Sequence, residues 1–507
     1  MASRKDNNRN QIRVMLWGTE VGTLTWVSDR HLAYFHFSDA YFRAPYDICP
    51  ITNPKDDPST RFAIYGESEK SSDPSRRIYH GLPPFLADSL PDKWGNKVFD
   101  DWFREKGLSP SLETPLTKLS FIGNRAMGAF EFRPMMEPSF YEDKPVDISA
   151  LYKESIAVED ELRRTAVPAE KASLQAIAAL GTSPGGSHKK AIVDLAPDGT
   201  FHTGKLTGEK DWKHCIIKFN TPEYSLSEIE KTYYDLAVDS GIEMMPSSLY
   251  EIDGIQHFLT ERYDRKDGRK VFTQSLAAIN PEAETYEDLF RTCRRLGIGD
   301  KEIEMLFRQT AFNFLMNNTD DHKKNFSFMM DEFYHWHLTP AYDMTFIIAE
   351  SGIRAETTHC MSLGGKFQGV SVADLVAFAR KNDIKHPEKV IEQIRMASLG
   401  FEARAKVNGV NVFCTEMIGR RLNELGREVP VVVSEPLTFI VSGSTVSDIR
   451  FEKTPSGNIH VLASLDGEER KYVITRKKAL YREIEELGFN GMANEEKLRI
   501  FKACFGK

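Results

Sequence analysis

Apolar residues change their spacing in blocks along this chain, and that succession constrains the fold more than any composition figure does. Between residues 11 and 45, QIRVMLWG, TEVGTLTWV and LAYFHF alternate apolar and polar side chains with turn signals between them, as a small antiparallel sheet requires. Residues 46–75 are rich in Pro, Asp and Ser and read as loops. Proline-punctuated turns in YHGLPPFLADSLPDKWGN lead into an amphipathic helix from about Lys93, and TKLSFIGNRAMGAFEFRP reads as turn plus strand. Helical spacing runs from Ile148 to Leu180 with an interruption near Pro168. A glycine-rich loop, GTSPGGSHKK, then precedes strands KAIVDLA and HCIIKFN, the helix SEIEKTYYDLAVDSG and the strand pair SSLYEIDG and QHFLTERYD. Residues 275–430 are mainly helical around one hairpin-like stretch, NFSFMMDEFYHWHLTP, and the remainder returns to strands before closing in helices.

The pattern is α+β. At 507 residues, it is too long for one compact core. The expected division is 11–147, 148–263, 264–430 and a C-terminal extension, 431–507. A net charge of −8 argues against a broad nucleic-acid-gripping face, which needs clustered Lys and Arg. The six cysteines lack C-x-x-C spacing and several sit in apolar runs, so most read as reduced core residues. The basic, polar start lacks the apolar stretch of a secretory signal, and no segment approaches the ~18 apolar residues of a membrane span. The chain reads as cytoplasmic.

Two motifs fail their own tests. Gly199, Gly204 and Lys205 match the opening of a P-loop, but Leu206 stands where a magnesium-ligating hydroxyl is needed, and the stretch joins two strands rather than a strand and a helix. His335 and His337 flank Trp336 on one strand face, yet no HExxH or paired CxxC accompanies them, so a solvent-facing side opposite a buried tryptophan is the better reading.

The densest chemistry is Asn318-Thr319-Asp320-Asp321-His322-Lys323-Lys324-Asn325, directly after the apolar helix FRQTAFNFLMN, with LTPAYD ending in Asp343 one hairpin later. Taken alone, this is an ordinary polar loop. Phosphoryl transfer, however, needs a flexible cover for phosphates, a lysine on them, a metal-binding carboxylate and amide, and an acceptor for the substrate proton. The chain offers these in order. Gly181, Gly185 and Gly186 let a backbone approach phosphates. Lys218, inside the apolar strand CIIKF, needs a partner if buried, and Glu230 on the next helix can be one. Asp320 and Asn325 keep the D-x-x-x-x-N spacing of a kinase catalytic loop, and Asp343 follows where a metal-binding aspartate belongs. There is no DFG or HRD tripeptide, so the chain is not a eukaryotic-type kinase.

These residues resemble the HipA family of bacterial toxin serine/threonine kinases of toxin–antitoxin systems. TDDHKKNFS is similar to that family's catalytic loop, LTPAYDM to its metal-binding segment, GTSPGGSHKKA to its glycine-rich loop ending in Lys190, CIIKF to the ATP-lysine strand and LTERYDR to the adenine hinge. VGTLTWV, LPPFLADSLPDKWGN and IGNRAMGAFEF fit its N-terminal subdomain, so the resemblance covers about residues 11–430 and leaves the tail without a counterpart. It implies a bilobal protein-kinase-like fold with an N-terminal α/β subdomain, a small lobe over 148–263, a mainly helical large lobe over 264–430 and a strand-helix extension. It implies Asp320 as the catalytic base, Lys218 on ATP phosphate, Asn325 and Asp343 on Mg²⁺, and His322, Lys324, Glu261 and Tyr263 about the nucleotide. It further implies self-inactivation by phosphorylation of Ser183, with Thr182 and Ser187 as competing acceptors. The expected substrate is a translation component such as an aminoacyl-tRNA synthetase. The expected partner is a small helix-turn-helix antitoxin, through which operator DNA is reached indirectly.

Two other readings share the ATP residues: a small-molecule kinase on the same scaffold, and a nucleotide-binding pseudokinase acting by assembly. The complete catalytic inventory weighs against the second.

Overall fold

The computed structural model describes residues 10–66, 73–109, 112–136, 144–161, 189–203, 211–348, 355–427, 439–441, 444–453, 458–466, 468–475, 479–487 and 494–505. The chain falls into two compact units, Met1–Glu428 and Val429–Lys507.

The first unit opens on an antiparallel sheet of β1 (Gln11–Leu16), β2 (Thr19–Val27), β3 (Leu32–Phe37), β4 (Ile64–Tyr65) and β5 (Phe130–Arg133), ordered β4-β3-β2-β1-β5. The period-two pattern decides its buried face: Ile12, Val14 and Leu16 point inward from β1 while Gln11 and Arg13 face out. Of TKLSFIGNRAMGAFEFRP, expected as turn plus strand, FEFR is the strand β5, but TKLSFI is instead part of a helix, Pro115–Ile122. Thr114 and Thr117 cap each other's backbone N–H groups there, and Pro115 supplies the first helical φ, so local end chemistry overrides an ambiguous apolar spacing.

The second sheet holds β6 (Lys190–Leu195), β7 (Phe201–Thr203), β8 (Lys213–Lys218), β9 (Ser247–Ile252) and β10 (Ile255–Glu261), ordered β7-β6-β8-β10-β9 and antiparallel throughout. Strand β7, not expected from the sequence, completes a hairpin with β6 through the PDGT turn. The helix Leu226–Asp239 packs on this sheet through β9 and β10, while its buried Tyr233 ring meets Phe312, Phe346 and Phe401. Beyond a small hairpin, β11 (Arg265–Lys266) and β12 (Arg269–Lys270), a third sheet pairs β13 (Thr273–Ser275), β14 (Ser327–Met330) and β15 (Trp336–Leu338). Helices at Tyr286–Arg295, Asp300–Leu315, Val372–Lys381, Pro387–Leu399, Phe401–Asn408 and Val412–Arg427 make up most of the rest.

The second unit is a four-stranded antiparallel sheet, β16 (Phe439–Val441), β17 (Ser444–Lys453), β18 (Ile459–Leu465) and β19 (Glu468–Ile474) in sequential order, with helices Ala479–Leu487 and Asn494–Phe505. Ile459, Val461, Ile474, Ile484 and Ile500 form its core. All six cysteines are free; Cys360 is exposed and the other five are buried. Among the described residues no helix is long and apolar enough to cross a membrane.

Candidate active site

Register places the first charged groups. In the second sheet, Lys190 on β6 stands opposite Lys218 on β8, which in turn stands opposite Phe258 on β10. Directly opposed residues of antiparallel strands share a face, so both lysines project from one side of the sheet. That side lines a cleft of about 1130 Å³, its open mouth included, into which Glu230, Glu261, Tyr263, Lys324 and Asp343 also face.

The Lys218 ammonium lies between two carboxylates. Glu230, one turn into the helix behind the sheet, meets it at 2.5 Å, and Asp343 bonds it from the other side. Burial alone would lower the Lys218 pKa, but the charges of Asp343 and Glu230 outweigh it and hold the ammonium above its ordinary value. Burial would likewise raise Asp343, yet Lys218 and then Lys190 pull it down to about 2. For Glu230 burial wins over Lys218 and its pKa lies above the usual carboxylate range. Asp343 adopts a left-handed backbone with φ of 52°, a conformation uncommon outside glycine and concentrated at functional sites. Ala341 N–H, bonded to the Glu243 carbonyl at 2.8 Å, fixes the approach to it.

Lys190 is 5% exposed at its side chain and pairs with the equally buried Asp92 at 2.8 Å. Trp94 N–H adds a 3.0 Å bond to the Lys190 carbonyl. The helix Lys93–Glu105 therefore begins against the strand that follows the glycine-rich segment. That segment itself, with Gly185, Gly186, Ser183, Thr182 and Ser187, lies outside the described residues, as do Gly204 and Lys205.

Asp320, His322 and Asn325 sit on the loop after the helix Asp300–Leu315 and are not among the residues lining the cleft. The loop is nonetheless anchored tightly. Tyr233 O–H donates to the Met316 carbonyl at 2.7 Å, tying the Glu230 helix to the loop's start. Asp321, 1% exposed, accepts from Tyr286 O–H at 2.5 Å, His359 Nδ1 at 2.8 Å and Cys360 N–H at 2.7 Å. Asp320, its neighbour, keeps a side chain 46% exposed, with His322 Nε2 at 3.7 Å. Asn325 donates its amide nitrogen to the Asp320 carbonyl at 2.7 Å, which leaves the amide oxygen as the ligand atom a metal would use. At Lys324 the loop enters the cleft wall, its carbonyl accepting from Tyr342 O–H at 2.7 Å.

At the far end of β10, the Glu261 carboxylate is taken by Lys213 at 2.8 Å, and the Tyr263 ring stacks on Tyr342 at 5.4 Å. Between them Arg262 runs to Asp264, which Arg265 also grips; burial opposes ionisation there, but the two guanidinium groups hold Asp264 at about 2. Asp264 accepts as well from Gly128 N–H at 2.6 Å, so the GNRAMGAF segment is bolted to this strand end. Sequence reasoning missed Asp92, Asp264, Asp88, whose carboxylate binds Ser275, and Gln274. The segments LPDKW and ERYDR carry a hint of the first two. The other pairings join residues far apart in the chain.

His335 and His337 hold no special place: Trp336 between them is buried, and the His337 ring is bracketed by Glu302 at 2.8 Å and Asp331 at 3.2 Å.

The description HipA N-terminal domain matches residues 12–133, and HipA-like C-terminal domain matches 182–400. The chain belongs to the HipA family. It is similar to a chain of the Shewanella oneidensis MR-1 complex of HipA, HipB and operator DNA, with a TM-score of 0.55 and 15% identity over 82% of this chain and 96% of that one. The Helicobacter pylori proinflammatory kinase CtkA matches at a TM-score of 0.32 and 11% identity, over 48% of this chain and 90% of that one, too slight a likeness to carry an argument. No curated protein matches.

Proposed function

We propose that this chain is an ATP- and Mg²⁺-dependent serine/threonine protein kinase, and the observation that carries the proposal is the Lys218 ammonium held between Glu230 and Asp343 in the cleft. A strand lysine paired to a helix glutamate, beside an acid that follows a D-x-x-x-x-N loop, is the phosphotransfer arrangement. In this reading 148–263 is a small lobe, 264–430 a large lobe, and 11–147 a subdomain buttressing both.

The residues present fit Mg-ATP: two lysines side by side suit phosphate oxygens, while the Asp343 carboxylate and Asn325 amide oxygen suit a hard cation. When bound, Mg-ATP would supply the transferable phosphoryl group with its charge partly neutralised. Lys218, released from one of its carboxylates, would hold phosphate while Glu230 keeps the ammonium in place. Asp320, its side chain nearly half exposed, would accept the proton of a substrate hydroxyl. Lys190, Lys324 and His322 would complete the cationic surround, with Glu261 and Tyr263 at the base. Gly185 and Gly186 would cover the phosphates, and phosphate on Ser183 would bring nearly two negative charges to the same place and shut the site.

Family membership supports a toxin role, with an aminoacyl-tRNA synthetase or another translation component as substrate. The Shewanella complex contains HipB and operator DNA, which supports a small helix-turn-helix antitoxin as partner here, and the net charge of −8 leaves DNA contact to that partner.

The test is incubation of purified protein with Mg-ATP beside Asp320→Asn, with phosphate mapped by peptide mass spectrometry. Phosphate at Ser183 or an adjacent hydroxyl on the wild type, absent from the variant, supports the reading. A wild type that starts unmodified, binds Mg-ATP and transfers no phosphate to itself or to protein overturns it.

A further inference from the structure

Among the described residues, one polar side chain of the cleft stands without a hydrogen-bond partner. Gln274, on β13, is 2% exposed and lines the same cleft as Lys218 and Asp343. Among the described residues, neither its amide nitrogen nor its amide oxygen has a hydrogen-bond partner. Buried side-chain amides are normally satisfied, and one orphaned at both ends destabilises the fold that carries it.

The described surroundings explain why no group among them answers. Both sequence neighbours are committed elsewhere: Ser275 takes the Asp88 carboxylate through N–H and hydroxyl, and Thr273 packs against Gly128. Across the strand pair stands Phe328, and Met127 and Phe130 line the cleft nearby in sequence to Gly128. The side chains of Phe328, Met127 and Phe130 offer the amide neither a donor nor an acceptor.

A carboxamide presents one donor and one acceptor side by side, so its complement carries an acceptor and a donor side by side. Within a nucleotide two groups do so: the amino edge of adenine, which glutamine reads bidentately in other settings, and the ribose diol, whose hydroxyls both give and accept. We infer that Gln274 receives the nucleoside part of the ligand and is a specificity-determining residue of the cleft. The inference rests on the nucleotide-binding reading above.

Calorimetry on the full-length chain with Mg-ATP tests it, comparing wild type with Gln274→Met, a near-isosteric apolar replacement. The variant should bind ATP at least tenfold more weakly, while its ligand-free melting temperature stays level or rises, because the orphan amide is gone. Repeating both titrations with 6-desamino-ATP, 2′-deoxy-ATP and 3′-deoxy-ATP assigns the contact: the analogue that lacks the group read by Gln274 should show little difference between the two proteins. Equal ATP affinity in both proteins overturns the inference. So does a loss carried equally by every analogue, and so does a lowered melting temperature of the ligand-free variant, each of which marks a structural role. A wild type that binds no nucleotide overturns the kinase reading and this inference together, whereas a binding wild type with an unimpaired variant overturns this inference alone.

Discussion

Asp92 caps one element and neutralises another. One carboxylate oxygen accepts the Gly95 N–H at 2.6 Å, closing the N-terminus of the helix Lys93–Glu105, while the other meets the buried Lys190 ammonium at 2.8 Å. Burial pushes the Asp92 pKa up and Lys190 only partly restores it, so the charged pair is maintained against a desolvation cost.

Asp92→Asn separates the two tasks, because asparagine caps as well as aspartate. The substitution removes the countercharge and keeps the cap, and is expected to cost about 3 kcal/mol. Asp92→Ala loses the cap too and should cost about 1 kcal/mol more. Urea denaturation of the three proteins checks the order. Equal midpoints for wild type and Asp92→Asn would show that the pair contributes nothing.

Adjacent aspartates on the loop predict opposite phenotypes. Asp321 is buried and accepts three hydrogen bonds, from Tyr286, His359 and Cys360, whereas the Asp320 side chain is nearly half exposed. Asp321→Asn turns an acceptor into a donor facing donors, and should lower stability by about 3 kcal/mol along with activity. Asp320→Asn should leave the melting temperature unchanged and abolish phosphate transfer, with Mg-ATP affinity retained. A calorimetric scan and a radiolabel assay on each variant separate the two, and an intact Asp321→Asn melting temperature would remove the anchoring role.

How much of this the sequence discloses depends on the range of the interaction. The alternation in QIRVML and LAYFHF suffices for β1 and β3, because one buried face fixes side-chain direction. The charge inside CIIKF points to a partner, and Glu230 is one. Pro115–Ile122 was hidden because its apolar spacing fits either period until the cap residues are weighed. Asp92 with Lys190, Asp321 with His359, and the orphan Gln274 amide are products of packing between distant segments, and no local spacing encodes them. The roles of Asp321 and Gln274 follow from burial, which residue type alone does not give.

A last prediction concerns acid. His257 is fully buried on β10 between Tyr152 and Phe219, and its Nδ1 accepts the Asn220 N–H at 2.9 Å, which requires a neutral ring. Burial, then the nearby Lys189 charge, lower its pKa from 6.5 to about 4, with Asp253 opposing weakly. Because the folded value lies below the unfolded one, the unfolded chain takes up the proton first as pH falls. The contribution of His257 is therefore whole above about pH 6.5, declines between about 6.5 and 4, and is exhausted below that, a loss of about 3 kcal/mol in all. His257→Gln keeps an acceptor for Asn220 but cannot titrate. The stability advantage of wild type over this variant, read from urea midpoints, should shrink between pH 7 and pH 4.5. An advantage that stays constant across that range would place the His257 pKa at its ordinary value and refute the neutral, buried ring.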